Sequence, residues 1–391
     1  MKNKKMYLLL IFVIVAAWTL VFLSLHHWYT NSILIPARAK ARSPIAEFNQ
    51  GALIQAIAFS PTNSDLIAVA EWGHEVKIWN VNNTDTPEVI LLGHTDKDVF
   101  PAVDCLAFSP IGKWLARKTF KTLDFWDMPS GTVLNPISCE MRSFSAAISP
   151  VNPILATGLN DVKLWDISNL NEIKGTFVLP TKIGEQALSH EDIIWTKDHY
   201  TDRAIKHHNE TINQHYQFID FSHDGKWIAA GGQMNDENRR IGFDRIKIWD
   251  LHSKQLFKII EGDLPDDFKP GYYYADINTI KFSPDNRFFV VVGKKRLIIW
   301  SLPEWKIHRE VDEPGIVDIA FSPDGKMFAT ASYRRIKIWL EEGQTPIDLQ
   351  KDKDFLVGAK NITFSQDGSM LAGGGFDGVL RLWDVRKLNE H

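Results

Sequence analysis

The sequence predicts an all-β chain made of seven copies of one four-stranded unit, preceded by a single transmembrane α-helix. Three observations carry that prediction. A phenylalanine, once an isoleucine, followed by serine opens each copy, at Phe59, Phe108, Ile148, Phe221, Phe282, Phe321 and Phe364. A tryptophan closes each copy, at Trp79, Trp126, Trp165, Trp249, Trp300, Trp339 and Trp383. The gap from opener to tryptophan is 20, 18, 17, 28, 18, 18 and 19 residues, and successive openers lie 49, 40, 73, 61, 39 and 43 residues apart. A base period of roughly 40 residues with three enlarged intervals is the signature of stacked sheets, none of which buries both faces alone.

The last copy shows how one unit is read. In FSQDGSMLAGGGFDGVLRLWD (364–384), Asp367-Gly368 and Asp377-Gly378 are turn dipeptides, because glycine accepts positive φ and aspartate tolerates it. Val379 to Trp383 then alternate as a half-buried strand does. FSPDG, a short apolar run and an [IL]-[KR]-[IL]-W-[DN] strand, clearest at 321–339 and 364–384, resemble the WD40 repeat family across roughly residues 45–391. The resemblance implies a seven-bladed β-propeller, with eight blades as the alternative. It also implies a non-catalytic platform for protein–protein contact, with the seven tryptophans as structural repeat residues. In the family a Gly-His histidine bonds to an aspartate in the turn before the tryptophan strand. Here Gly93-His94 is the one Gly-His at the position where the family's repeats usually carry it, and Asp377 fits the aspartate position in the last copy. Asp244 and Asp161 fit with shorter spacing, and His74 or Tyr333 stands nearby in other copies, so the network is incomplete.

Taken in order, residues 1–5 read as a cytoplasmic tail, 6–25 as the membrane anchor, 26–44 as a stalk and 45–391 as the propeller. The anchor is twenty residues without a charge, the length that crosses about 30 Å of hydrocarbon as a helix. Lys2, Lys4 and Lys5 beside it predict a cytoplasmic N-terminus and an extracytoplasmic propeller, with Trp28 and Tyr29 at the far interface. A cleaved signal peptide is the alternative; the length of the apolar run and the His26-His27-Trp28 context argue for the anchor. Pro36, Pro44, Arg38, Lys40 and Arg42 suit an extended stalk. Few residues follow Asp384, so residues 45–48 (IAEF) are expected to supply the missing strand of the last blade and hide a sheet edge.

Three insertions break the period: 181–215, 232–243 and 262–276. By the family's topology all three fall on one face of the disc and on adjacent blades. Long loops on a rigid scaffold are where binding is expected. Tyr272, Tyr273 and Tyr274, with Phe268, Arg239 and Arg240, are the expected partner-binding residues, since tyrosine and arginine are favoured interface anchors. Packing of the tyrosines on their own blade is the other reading. Residues 187–195 and 203–209 faintly echo a repeat, but the interval from His208 to Phe221 is too short for an eighth blade.

Net charge of −4 implies no broad nucleic-acid-binding field. Cys105 and Cys139 make no disulfide framework, and their pairing stays open. His190, His199, His207, His208, His215 and His223 mingle with Glu191, Asp192 and Glu210 without a metal-ligand spacing, so a solvated loop is expected. No phosphate-binding loop or nucleophile elbow occurs. The expectation is therefore a scaffold with protein partners, membrane contact through residues 6–25, and no catalytic residue, metal or cofactor. A ligand- or glycan-binding receptor and a metal-binding or enzymatic propeller using the 181–215 insertion are the alternatives.

Overall fold

The computed structural model describes residues 44–73, 75–93, 103–119, 122–128, 130–137, 145–159, 161–170, 172–180, 188–189, 212–236, 242–261, 277–332, 335–340, 345–349 and 359–388. These residues form seven antiparallel sheets arranged as blades. Blade 1 is Ile54–Phe59, Leu66–Glu71, Glu75–Asn80 and Val89–Leu92. Blade 2 is Val103–Phe108, Trp114–Thr119, Leu123–Asp127 and Val133–Ile137. Blade 3 is Ser145–Ile148, Ile154–Gly158, Val162–Asp166, Lys174–Val178 and a fifth strand, Leu188–Ser189. Blade 4 is Ile212–Phe221, Trp227–Asp236, Gly242–Asp250 and Gln255–Glu261. Blade 5 is Ile277–Phe282, Phe288–Gly293, Arg296–Ser301 and Lys306–Asp312, and blade 6 is Ile316–Phe321, Phe328–Ser332, Ile336–Trp339 and Ile347–Asp348. Blade 7 is Ala359–Phe364, Met370–Gly375 and Val379–Asp384, completed by Ala46–Asn49.

The first strand of each blade is innermost and touches the first strands of both neighbours, so the blades close into a ring. In six blades this strand carries a β-bulge, at its start in five, as between Ile54 and Ala56 or Ile316 and Asp318, and farther along, between Tyr216 and Phe218, in blade 4. A bulge bends and twists its strand, which suits a strand wrapping a channel. Buried apolar side chains form seven clusters, each shared by two adjacent blades. Each blade is therefore held by its neighbours, the packing expected of a repeat that cannot stand alone.

The recurrent serine after each opener has a definite job. Ser222, Ser283, Ser322 and Ser365 each donate to the aspartate two residues on, all at 2.6 Å. Each also accepts the backbone N–H at the start of the second strand, from Trp227, Phe288, Met327 and Met370 at 2.8 to 3.0 Å. The hydroxyl thus ties the turn across its mouth, and Gly225, Gly325 and Gly368 supply the positive φ (68–70°) that lets the chain reverse.

Ala46–Asn49 pairs with the last strand, with Phe48 opposite Leu380, and closes the ring through the two ends of the described chain. Phe48 is fully buried and meets Trp79 of blade 1 edge-on, ring centroids 5.1 Å apart. Two expectations change. Most of 232–243 is not a loop: strands run to Asp236 and resume at Gly242, so the hairpin itself is longer. Residues 188–189 and 212–215 are strands of blades 3 and 4, and the described residues form seven sheets without an eighth. The expected anchor, 6–25, lies outside the described residues, and no helix among them is long and apolar enough to cross a membrane.

Candidate functional site

Among the described residues, polar chemistry concentrates in the central channel. The channel encloses about 810 Å³ and is lined by the first strands of all seven blades. Its side chains stitch one blade to the next. Val103 N–H donates to Gln55 Oε1 (2.6 Å), and Ser145 Oγ donates to the Tyr216 carbonyl (3.0 Å). Phe282 N–H donates to Asp220 Oδ2 (2.7 Å), Asn278 Nδ2 to the Ile316 carbonyl (2.6 Å), and Ile362 N–H to Asp318 Oδ2 (2.9 Å). Asn361 Nδ2 donates to the Gln55 carbonyl (2.7 Å), which returns to the first blade.

The charged side chains lining the channel sit on its blade 4–7 side. Lys281 Nζ is 3.7 Å from Asp220 Oδ1. Asp220 first, and Asp318 less strongly, hold the Lys281 ammonium above its ordinary value against the effect of burial. Burial pushes the Asp318 carboxyl up to about 6, while Lys281 and the N–H groups of Ile362 and Ile319 pull it down. His223, at the channel mouth, is lowered by burial, with Asp220 opposing. Because Asp220 and Asp318 each hold a backbone N–H of the next blade, their chemistry is cohesive: they join blades rather than present a free base. These residues were not singled out in the sequence. The signal was a charged residue just before the opener, Asp220 and Lys281, where Ala58, Ala107, Ala147 and Ala320 stand in other copies.

The repeat tryptophans lie between blades. Trp126, Trp249 and Trp383 are fully buried. Trp165 and Trp339 donate to Thr157 and Thr330 hydroxyls (2.8 and 2.9 Å), Trp79 to Gln50 Oε1 (3.0 Å) and Trp249 to the Pro180 carbonyl (2.7 Å). Trp300 is partly buried against the blade 4–5 cluster, under Lys258 Nζ at 5.9 Å. Asp377 bonds to Arg381 Nη1 (2.6 Å) and to Val379 N–H (3.1 Å). Blade 2 departs from the pattern: the threonine position is taken by Arg117, paired with Asp124 at 2.5 Å and lying 5.8 Å over Trp126.

His94, Arg239, Arg240, Phe268, Tyr272, Tyr273 and Tyr274 lie outside the described residues, as do His190, His199, His207, His208 and Cys139. Among the described residues no group of three histidine, cysteine or acidic side chains is placed to hold a metal. Cys105 lines the channel.

The family profile "WD domain, G-beta repeat" matches residues 305–339 and 357–384. The chain is also 27% identical over 178 residues to a Schizosaccharomyces pombe protein, "U3 small nucleolar RNA-associated protein 21 homolog". That match covers 42% of this chain and 18% of the relative, so the chain spans less than a fifth of the relative's length. The expected localisation, a single-pass membrane protein with its propeller outside the cytoplasm, is corrected by these findings. The similar protein is by name nucleolar RNA-associated, and no described helix is long and apolar enough to cross a membrane. The described residues therefore form a seven-bladed β-propeller in which residues 305–339 and 357–384 are WD40 repeats by the family profile.

Proposed function

We propose that the chain is a non-catalytic protein-interaction scaffold whose partner docks on the face where blade 4 rises above its neighbours. One observation carries this reading. The first three strands of blade 4 run 10, 10 and 9 residues, while the strands of the other blades run 2 to 7. Pairing continues through Gln233–Asp244 to Asn235–Gly242, and on the inner side to Ile212–Asp236. The turn after the second strand and the connection to the next blade leave an antiparallel blade on the same face. Residues 237–241, 262–276 and the span before Ile212 therefore depart from the same raised edge.

A paired ribbon projecting from a rigid ring is a preorganised ledge, and preorganisation reduces the ordering cost of binding. Arg239, Arg240, Phe268 and Tyr272 to Tyr274 are proposed as the contacts made from its loops. Net charge of −4 favours a protein over RNA as the direct partner. The test is a crosslinking pull-down with the full chain, wild type against Tyr272→Ser/Tyr273→Ser/Tyr274→Ser. Partner recovery should fall about tenfold with the melting transition unchanged. Equal recovery from a folded variant contradicts this face.

A further inference from the structure

The outermost strand of a blade has one row of N–H and C=O groups with no strand beside it, and such an edge is a template for another strand. Six of the seven blades blunt that edge. Blade 3 covers Lys174–Val178 with the antiparallel strand Leu188–Ser189, Phe177 lying opposite Ser189 and Val178 opposite Leu188. The outer strand of blade 5 is charged at Lys306, Arg309, Glu310 and Asp312, and that of blade 4 at Lys258 and Glu261. Blade 7 places Glu47 on its edge, held by Arg381. Blade 2 interrupts its outer strand with Pro136, which has no N–H to donate, and blade 6 shortens its own to two residues.

Blade 1 uses none of these means. Its outer strand, Val89–Leu92, is four apolar residues without charge or proline, and among the described residues no strand pairs outside it. Leu91 is 2% exposed and packs into the joint with blade 2. Alternation turns Ile90 and Leu92 to the other face, where they stand 52% and 65% exposed opposite Lys77 and Glu75.

The charges around this edge carry a sign. Glu75 is exposed beside Leu92 at one end, and Glu88 precedes Val89 at the other, accepting from Asn80 Nδ2 at 2.8 Å. Lys77, between them, is turned to Glu71 (2.5 Å) and to the Gln50 carbonyl (3.0 Å). The strand is therefore apolar in its middle and acidic at its ends.

We infer that the blade 1 edge accepts an extended segment of a partner protein as a fifth strand, with apolar side chains at alternate positions and a lysine or arginine towards each end. Blade 3 shows the same addition at the same outer position of this ring. A second copy of the chain suits the edge less well. Four residues on the rim of a disc offer far less than the roughly 1,000 Å² that a specific interface between folded bodies buries. Blades 1 and 4 are not neighbours in the ring, so this inference and the one above fail independently.

The test uses the full chain and fluorescence anisotropy with a labelled peptide, Lys-Thr-Val-Thr-Val-Thr-Lys, and the same peptide N-methylated at its central threonine and the valine after it. The unmodified peptide should bind saturably, and the methylated one about tenfold more weakly or less, because strand pairing needs free N–H groups. Ile90→Thr/Leu92→Thr, at two exposed positions, should weaken the unmodified peptide about tenfold while the melting transition is kept. The inference is overturned by equal binding of the two peptides, by undiminished binding to the variant, or by no saturation up to about 1 mM. It is equally overturned if hydrogen exchange finds every amide of 89–92 protected in the free chain, which would place another part of the same chain on the edge. A dimer in sedimentation that the variant loses would place a second copy there and overturn it as well.

Discussion

Arg117 and Asp124 are a buried ion pair, with side chains 0% and 1% exposed, in a blade that inverts the usual charge order. Elsewhere the position two before the tryptophan is mostly cationic, as in Lys77, Lys163, Lys247, Lys337 and Arg381, and its partner on the second strand is small or apolar. Blade 2 puts the cation on the second strand and the carboxylate on the third. Gly93 lies hard against the pair: a Cβ there would sit 1.9 Å from Arg117 Nη2, so a larger residue would have to displace the guanidinium. Asp124→Ala leaves a buried guanidinium without its counter-charge and should cost about 3–5 kcal/mol. Arg117→Met with Asp124→Leu should be neutral or stabilising by about 1–4 kcal/mol. Urea unfolding of both variants checks this, and the inference weakens if the double variant is as damaged as the single one. Asp318 gives a pH test. Its carboxyl sits at about 6 in the fold against 3.8 ordinarily, so between those values the folded state holds a proton that the unfolded chain has released. Stability from this group therefore falls as pH rises through that window, and the penalty is complete above it. Asp318→Asn keeps an acceptor for the Ile362 N–H. It should be more stable than wild type by roughly 1–2 kcal/mol above about pH 7, with no gain below about pH 4. Denaturation at both pH values reads this directly. None of these roles was legible in the sequence, because an arginine or aspartate in a strand reads as a solvated position until its neighbours are known.

At the scale of the element, the closing strand and the turn serine show how local chemistry fixes the ring. The strand at Ala46–Asn49 was legible from a shortage: too few residues followed Asp384 to complete the last blade. Its anchor is Phe48, packed on Trp79, with Glu47 bonded to Arg381 at 2.9 Å on the other face. Phe48→Ala should cost about 3–5 kcal/mol in equilibrium unfolding, while Glu47→Ala, whose side chain is 53% exposed, should cost about 1 kcal/mol or less. A cost for Phe48→Ala no larger than for Glu47→Ala would mean that the strand is not part of the cooperative fold. The blade 4 hairpin was not legible as strand. GQMNDENRRIGF has no period-two apolar pattern, and its pairing extends a hairpin begun in an apolar segment.

At the scale of the molecule, the period, the tryptophans and the seven blades were legible because every joint needs the same large apolar wedge. What was not legible is the pocket of about 380 Å³ between blades 5 and 6, whose walls Phe288, His308, Phe321 and Phe328 come from separate strands of two blades. The loops proposed to bind a partner were picked out by length, and the long strands of blade 4 that flank them came from the fold. The membrane assignment rested on the apolar run 6–25 and its orientation on a short charged tail; the single-pass localisation is set aside by the comparison with a nucleolar RNA-associated protein. The proposed function is that of a rigid ring that binds a protein partner on the blade 4 face. Hydrogen exchange of the full chain, alone and crosslinked to its captured partner, tests it most directly. The account expects added protection in 232–244 and 262–276, with the innermost strands already protected and unchanged. Added protection confined to other blades, or exchange in the innermost strands that slows only on binding, would contradict it.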